Sequence, residues 1–237
     1  MAEEEDYNDP LVLEHMMGFN GDAPGSVQFH PVDTTKMISY TGCLVVIADV
    51  TNPHEQEFLR GHNEAITCLA ISPSGSMIAT GQTSTTRVPN SEAMVIVWDY
   101  KTRQAIYRLM ELHDGIAFTR NKVVQLAFSP DEMFLGGCDD NPKGAKLCIW
   151  QSQTGQLSTI AKTGQRPSSF LSWGEVIESQ SRIKTIGRPG SAPSRVGIAY
   201  TPVYDVPYVP GKANNIQRHT QSKIIFIDSS DRPQLSE

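Results

Sequence analysis

Apolar residues in this chain come in short dense runs separated by Pro and Gly corners. Residues Ala65–Gln82, AITCLAISPSGSMIATGQ, contain no acid, base or aromatic side chain and are broken only by a Ser-Pro-Ser-Gly turn. Runs of this length, rich in β-branched residues and bounded by turn formers, predict strands. The pattern returns as VVQLAFSPDEMFLGG at Val123–Gly137 and more faintly as SVQFHPVDTTKMISYTG at Ser26–Gly42. Each copy is followed by another apolar run: LVVIADV (Leu44–Val50), MVIVWDY (Met94–Tyr100) and KLCIWQS (Lys146–Ser152). Aligned, these put Ala48, Trp98 and Trp150 in one column, so the chain carries an internal repeat. Each unit predicts a four-stranded antiparallel sheet. Strands such as Ile66–Ile71, apolar on both faces, fit a sheet sandwiched between two others.

Composition narrows the picture without changing it. The 237 residues suffice for a sizeable core, and 39% hydrophobic with 19% charged content is that of a globular protein rich in turns, with 18 Gly and 15 Pro. The acidic opening MAEEEDYNDP does not resemble a secretory signal, and no apolar run is long enough to span a bilayer. The four cysteines, Cys43, Cys68, Cys138 and Cys148, lack close pairing and read as reduced thiols. The net charge of −6 conceals an asymmetry: residues 1–160 hold 10 Lys+Arg and 20 Asp+Glu, whereas residues 161–237 hold 10 and 6. An acidic front disfavours polyanion binding, so no nucleic-acid partner is expected, nor a membrane or small-molecule substrate.

The stretch LRGHNEAITCLAISPSGSMIATG followed by VIVWD resembles a WD-repeat unit, with Gly61-His62 before the first strand and Trp98-Asp99 closing the third. The resemblance implies an all-β fold, a WD-repeat β-propeller whose blades surround a central channel. The first unit has Ala48 instead of Trp, and the third has Gln151 in place of Asp. Over roughly residues 16–157, the ordered matches GFNG, FHP, MISYTGCLVVI, FLRGH, CLAIS, IATGQ and VWDYK are similar to the opening of WD-repeat proteins of the axonemal doublet microtubule. The ATGQ hairpin and the long insertion before VIVWD are shared in style with echinoderm microtubule-associated-protein-like proteins.

The repeat pattern stops after Gly164, which divides the chain into an acidic tail (1–15), propeller blades (16–164) and a Pro/Gly-rich basic segment (165–237). The propeller is therefore partial: about three recognisable four-stranded blades plus an irregular C-terminal segment. That segment is either a degenerate blade or partly disordered; only IKTIG, RVGIAY and KIIFID read as strands. Three blades alone would leave two wide apolar faces open.

Implied by the resemblance, His62, Thr80 and Trp98 form a hydrogen-bonded structural set, although the Asp expected in the turn before the third strand is replaced by the insertion TSTTRVPNSEA. His113 takes the place of His62 before the third unit, and Trp150 that of Trp98. A metal role for these histidines is disfavoured. The acidic pair Asp139-Asp140 fails the EF-hand spacing, since Trp150 and Gln151 stand where Glu is required. GFNGDAPG lacks the Lys-Ser/Thr of a phosphate loop, and no GxSxG or HExxH occurs. The chain reads as non-catalytic and without a cofactor.

Two features are candidates for contacts: the insertion Thr83–Ala93, which carries Arg87, and the cluster Arg182, Lys184, Arg188 and Arg195, suited to an acidic surface such as tubulin. The leading expectation is an intracellular interaction scaffold of the ciliary or flagellar axoneme, with tubulin and other axonemal proteins as partners. The alternative is a general cytosolic WD-repeat adaptor in ubiquitin ligation, RNA processing or signalling, because propellers host many functions.

Overall fold

The computed structural model describes residues 13–23, 25–84, 93–109, 122–140, 145–164, 168–178, 194–202, 223–228 and 234–236, with side chains through 161 and for 171–174. The described residues form sixteen strands in four antiparallel sheets of four, each built from consecutive strands. Sheet one comprises β1 (Val27–Phe29), β2 (Lys36–Thr41), β3 (Leu44–Asp49) and β4 (Gln56–Arg60). Sheet two comprises β5 (Ile66–Ile71), β6 (Met77–Gln82), β7 (Val95–Asp99) and β8 (Ala105–Leu109). Sheet three comprises β9 (Val123–Phe128), β10 (Phe134–Asp139), β11 (Ala145–Gln151) and β12 (Leu157–Gly164).

Three sheets thus stand where the repeat places them, and the chain adds a fourth: β13 (Ser168–Glu178), β14 (Ser194–Pro202), β15 (Lys223–Asp228) and β16 (Gln234–Ser236). RVGIAY and KIIFID lie within β14 and β15, while IKTIG falls outside the described residues. The eleven-residue β13 was not expected as a strand. Its sequence, SSFLSWGEVIE, mixes Ser, Gly and Glu with apolar residues in no clean period of two, and its pairing with β14 shifts register twice.

The sheets stack face to face, and alternation within each strand sends side chains to the two neighbours. In sheet two, Ile66, Leu69, Ile78, Met94, Ile96 and Trp98 face sheet one, packing with Ile38, Tyr40, Val45, Ile47 and Leu59. Their alternates Cys68, Ala70, Ala79, Val95 and Val97 face sheet three, against Val123, Leu126, Phe128, Leu135 and Trp150. A third core joins Cys138, Leu147 and Ile149 of sheet three to Leu171 of sheet four, with Trp173 packed on it. The doubly apolar run at Ile66–Ile71 exists because both of its faces are interfaces.

Polar stitches cross the same seams. Gln28 Nε2 donates to Leu69 O at 2.9 Å, and the Tyr40 hydroxyl to Thr67 O at 2.9 Å. Thr67 Oγ1 donates to Val123 O at 2.5 Å, and Trp173 Nε1 to Ala127 O at 2.8 Å. Every seam among the described sheets therefore has a side chain bonded to the backbone of the next sheet's first strand or of its own predecessor, which fixes sheet spacing as well as burial does.

Candidate functional site

The best-defined polar constellation lies at the outer end of sheet two. The segment Gly61–Asn63 enters between sheets one and two, and its path depends on Gly61: a Cβ there would sit 2.9 Å from the Trp98 ring. His62, 7% exposed, is placed beside β6 and β7. Trp98 Nε1 donates to Thr80 Oγ1 at 2.8 Å, and the Thr80 hydroxyl lies 2.7 Å from His62 Nε2. His62 Nδ1 lies 2.7 Å from Gln82 Oε1, and Gln82 Nε2 donates to Asn63 Oδ1 at 2.7 Å.

One proton assignment satisfies the whole chain. Indole N–H donates to hydroxyl oxygen, hydroxyl to Nε2, and Nδ1–H to the Gln82 carbonyl oxygen, which makes His62 a neutral Nδ1–H tautomer. Burial pushes the His62 imidazole down to about 4; the Gln82 contact opposes this and the positive charge of Arg108 adds to it. Both imidazole nitrogens are thus engaged inside the seam, tying the entering segment to the end of β6.

Gln82 is the member that sequence reasoning missed. The missing Asp was sought in the turn ahead of β7, whereas the acceptor sits at the end of β6, 1% exposed and two residues beyond Thr80. That spacing was the available signal, because residues i and i+2 of a strand share a face.

The same positions vary in the neighbouring sheets. Strand pairing aligns Ser39 and Gly137 with Thr80, and Thr41 and Asp139 with Gln82. In sheet three the Trp150 ring lies over Gly137, where a Cβ would come within 2.9 Å of it. Asp139 Oδ1 accepts from Lys146 N at 2.6 Å, and Asp140 Oδ1 from Lys122 N at 2.9 Å, so these carboxylates cap backbone rather than forming a cation loop. His113 lies outside the described residues.

Asp99 closes its strand as a turn acceptor, taking the Thr102 N–H at 2.6 Å, and this bond holds its carboxyl below the usual carboxylate range. Asp49 does the same through Thr51 and Asn52, with Lys36 at 3.0 Å, and is likewise depressed, first by the Thr51 hydroxyl. Gln151 preserves the turn without a charge: Gln151 Oε1 accepts from Thr154 Oγ1 at 3.0 Å, and Gly155 N donates to Gln151 O as Arg103 N donates to Asp99 O. Arg103 and Gly155 both adopt positive φ, 63° and 68°.

Further clamps join the surface turns. Arg103 pairs with Glu57 at 2.6 Å across the first seam while stacking on Tyr100, its carbon 4.2 Å from the ring centre. His30 Nε2 meets Gly75 O at 3.0 Å, and the Glu132 carboxylate accepts from both the N–H and the hydroxyl of Ser74. The corners after β1, β5 and β9 are thereby linked in series along one edge of the stack. Of the four cysteines, Cys43 is exposed and the others buried, and all are free thiols.

Of the candidate contact residues, Arg87, Arg182, Lys184 and Arg188 lie outside the described residues; Arg195 is on β14, its backbone paired with Ile177 and Asp228.

Residues 54–99 match the family described as WD domain, G-beta repeat. That span covers β4 through β7 and the His62 network. The chain is 43% identical over 143 residues to human cilia- and flagella-associated protein 52, covering 59% of this chain and 20% of that protein. It is 38% identical over 150 residues to the protein of the same name from Chlamydomonas reinhardtii, covering 62% and 22%. The chain thus spans about a fifth of the length of these curated relatives. Among solved structures, "Structure of U3-55K" matches with a TM-score of 0.53 at 14% identity, over 88% of this chain and 50% of the other. With the stacked four-stranded sheets, these matches give the described residues the fold of part of a β-propeller, and residues 54–99 match a WD repeat.

Proposed function

We propose that the chain is a non-catalytic scaffold of the ciliary or flagellar axoneme, binding doublet-microtubule tubulin and neighbouring proteins through the loops of its sheets. The observation that carries this reading is the 38–43% identity to cilia- and flagella-associated protein 52 across organisms as distant as human and a green alga. A likeness of that strength over 143–150 residues supports kinship beyond the shared repeat. The geometry supports the same reading. The polar constellation is buried and mutually satisfied, so what the molecule offers to solvent is a rigid set of turns.

Within this reading the basic side chains of Arg182, Lys184, Arg188 and Arg195, with Arg87 from the insertion, supply attraction for the acidic tubulin surface. The test is extraction. A tagged chain expressed in ciliated cells stays with demembranated axonemes, and replacing the four tail cations by Glu releases it at lower salt. A diffuse cytosolic signal in cells with normal cilia overturns the reading.

A further inference from the structure

We infer that Asn20-Gly21 is a self-modification site: the turn ahead of β1 carries its asparagine through a succinimide to aspartate and isoaspartate without an enzyme. The inference stands on the chemistry of that turn and is independent of any ciliary role.

Ring closure needs a side-chain carbonyl, a following backbone nitrogen free to attack it, and room for the ring. The dipeptide Asn-Gly occurs once in the chain, at residues 20 and 21. Gly21 is exposed, and a Cβ built on it would meet nothing within 4 Å. Its nitrogen is therefore not shielded by a side chain of its own, and no neighbour crowds the space beside its Cα. Among the described residues, the Gly21 N–H donates to no other group.

Asn20 is shaped for the attack as well. The Asp22 N–H donates to Asn20 Oδ1 at 3.1 Å, which folds the side-chain carbonyl back over the peptide that follows it. A donor on that oxygen draws electron density from Cγ and stabilises the negative charge that gathers on Oδ1 as the ring closes. The flanks are anchored: the Asn20 N–H donates to Tyr40 O at 3.1 Å, and Ala23 packs on the core of the first seam. Anchored flanks keep the reacting groups together instead of letting the turn sample shapes in which they part.

Two other asparagines lack these conditions. Asn63 follows Gly61-His62 as Asn20 follows Gly18-Phe19, but the next residue is Glu64, and Gln82 Nε2 donates to Asn63 Oδ1 at 2.7 Å, tying that carbonyl to β6. Asn52 is followed by Pro53, whose nitrogen has no proton to lose.

The step balances with water alone. Base removes the Gly21 N–H proton, the amide nitrogen's electron pair forms a bond to Asn20 Cγ, the Cγ–Nδ2 bond breaks, and Nδ2 takes a proton and leaves as ammonia. The succinimide then adds water at one of its two carbonyls: opening on one side gives aspartate, on the other isoaspartate. Nothing is oxidised or reduced. Aspartate places a second negative charge beside Asp22. Isoaspartate also lengthens the main chain by one carbon, so the tie to Tyr40 O and the seat of Ala23, set for the shorter path, no longer fit together.

The test is to keep the full 237-residue chain in warm neutral buffer, with and without urea, and follow it by peptide mass spectrometry with fragmentation that separates the two products. Asn20 is expected to convert at least about tenfold faster than Asn63, a barrier difference of about 1.4 kcal/mol, and no more slowly in the folded chain than in urea. Conversion accelerates with pH, because the attacking species is the deprotonated amide. Gly21→Ala, which the open space beside Gly21 accommodates, slows it by about tenfold or more. Circular dichroism verifies that the variant folds; should it not, Asn20→Gln, whose longer side chain must close a larger ring, takes its place. An Asn20 that persists, that converts faster in urea than in the folded chain, or that is indifferent to these substitutions overturns the proposal.

Discussion

At the scale of single residues the molecule turns on His62. Its folded pKa of about 4 lies below the ordinary 6.5 because burial disfavours the cation. The neutral imidazole therefore contributes stability that is fully present above about pH 6.5 and is lost as pH falls toward 4, where the unfolded chain binds the proton first. On an order-of-magnitude scale this is about 3 kcal/mol. Urea titrations at stepped pH should show that decline, and His62→Gln should flatten it. Gln82→Glu places a carboxylate 2.7 Å from Nδ1 in the native geometry, so two-dimensional NMR should find the His62 pKa raised. Thr80→Val strands both the Trp98 indole N–H and His62 Nε2, and should cost about 2–4 kcal/mol in denaturant unfolding. His62, Thr80 and Trp98 were legible in the sequence because residue types and spacing repeat a known unit. Gln82 was not, because an amide doing the work of a carboxylate leaves no compositional mark; only its strand phase betrays it.

At the scale of elements, strands with β-branched runs between Pro or Gly corners were readable to within a residue or two, as β3, β7 and β11 illustrate. The strands with mixed composition were not: β13 keeps its place through pairing with β14 and through Trp173 bonding to Ala127, both long-range effects absent from local pattern. Sheet spacing is set by small residues as much as by large ones. A Cβ on Gly81 would stand 2.6 Å from Val123 Cβ and 2.7 Å from Cys68 Sγ, both inside the second seam. Gly81→Ala should therefore push β9 from β5 and β6 and destabilise the chain by about 1–3 kcal/mol. By contrast Glu57→Gln, which breaks a solvent-facing ion pair, should change unfolding by less than about 1 kcal/mol. Thermal scans of the two variants side by side separate seam packing from surface charge.

At the scale of the whole molecule, a stack in which each sheet buries its faces only against neighbours unfolds as a coupled series. Among the described residues the first and fourth sheets are held by one seam each and are the weak points. The repeat was visible in the sequence because every unit answers the same burial problem. In the proposed reading, function is carried at this scale too, through turns that the buried seams hold in place. Cross-linking mass spectrometry on axonemes isolated from cells expressing the chain addresses that most directly. The account predicts links from its lysines to tubulin and to other axonemal proteins, reduced when Arg182, Lys184, Arg188 and Arg195 are replaced by Glu. Links confined to ubiquitin-ligase or ribonucleoprotein subunits, with none to the axoneme, would contradict it.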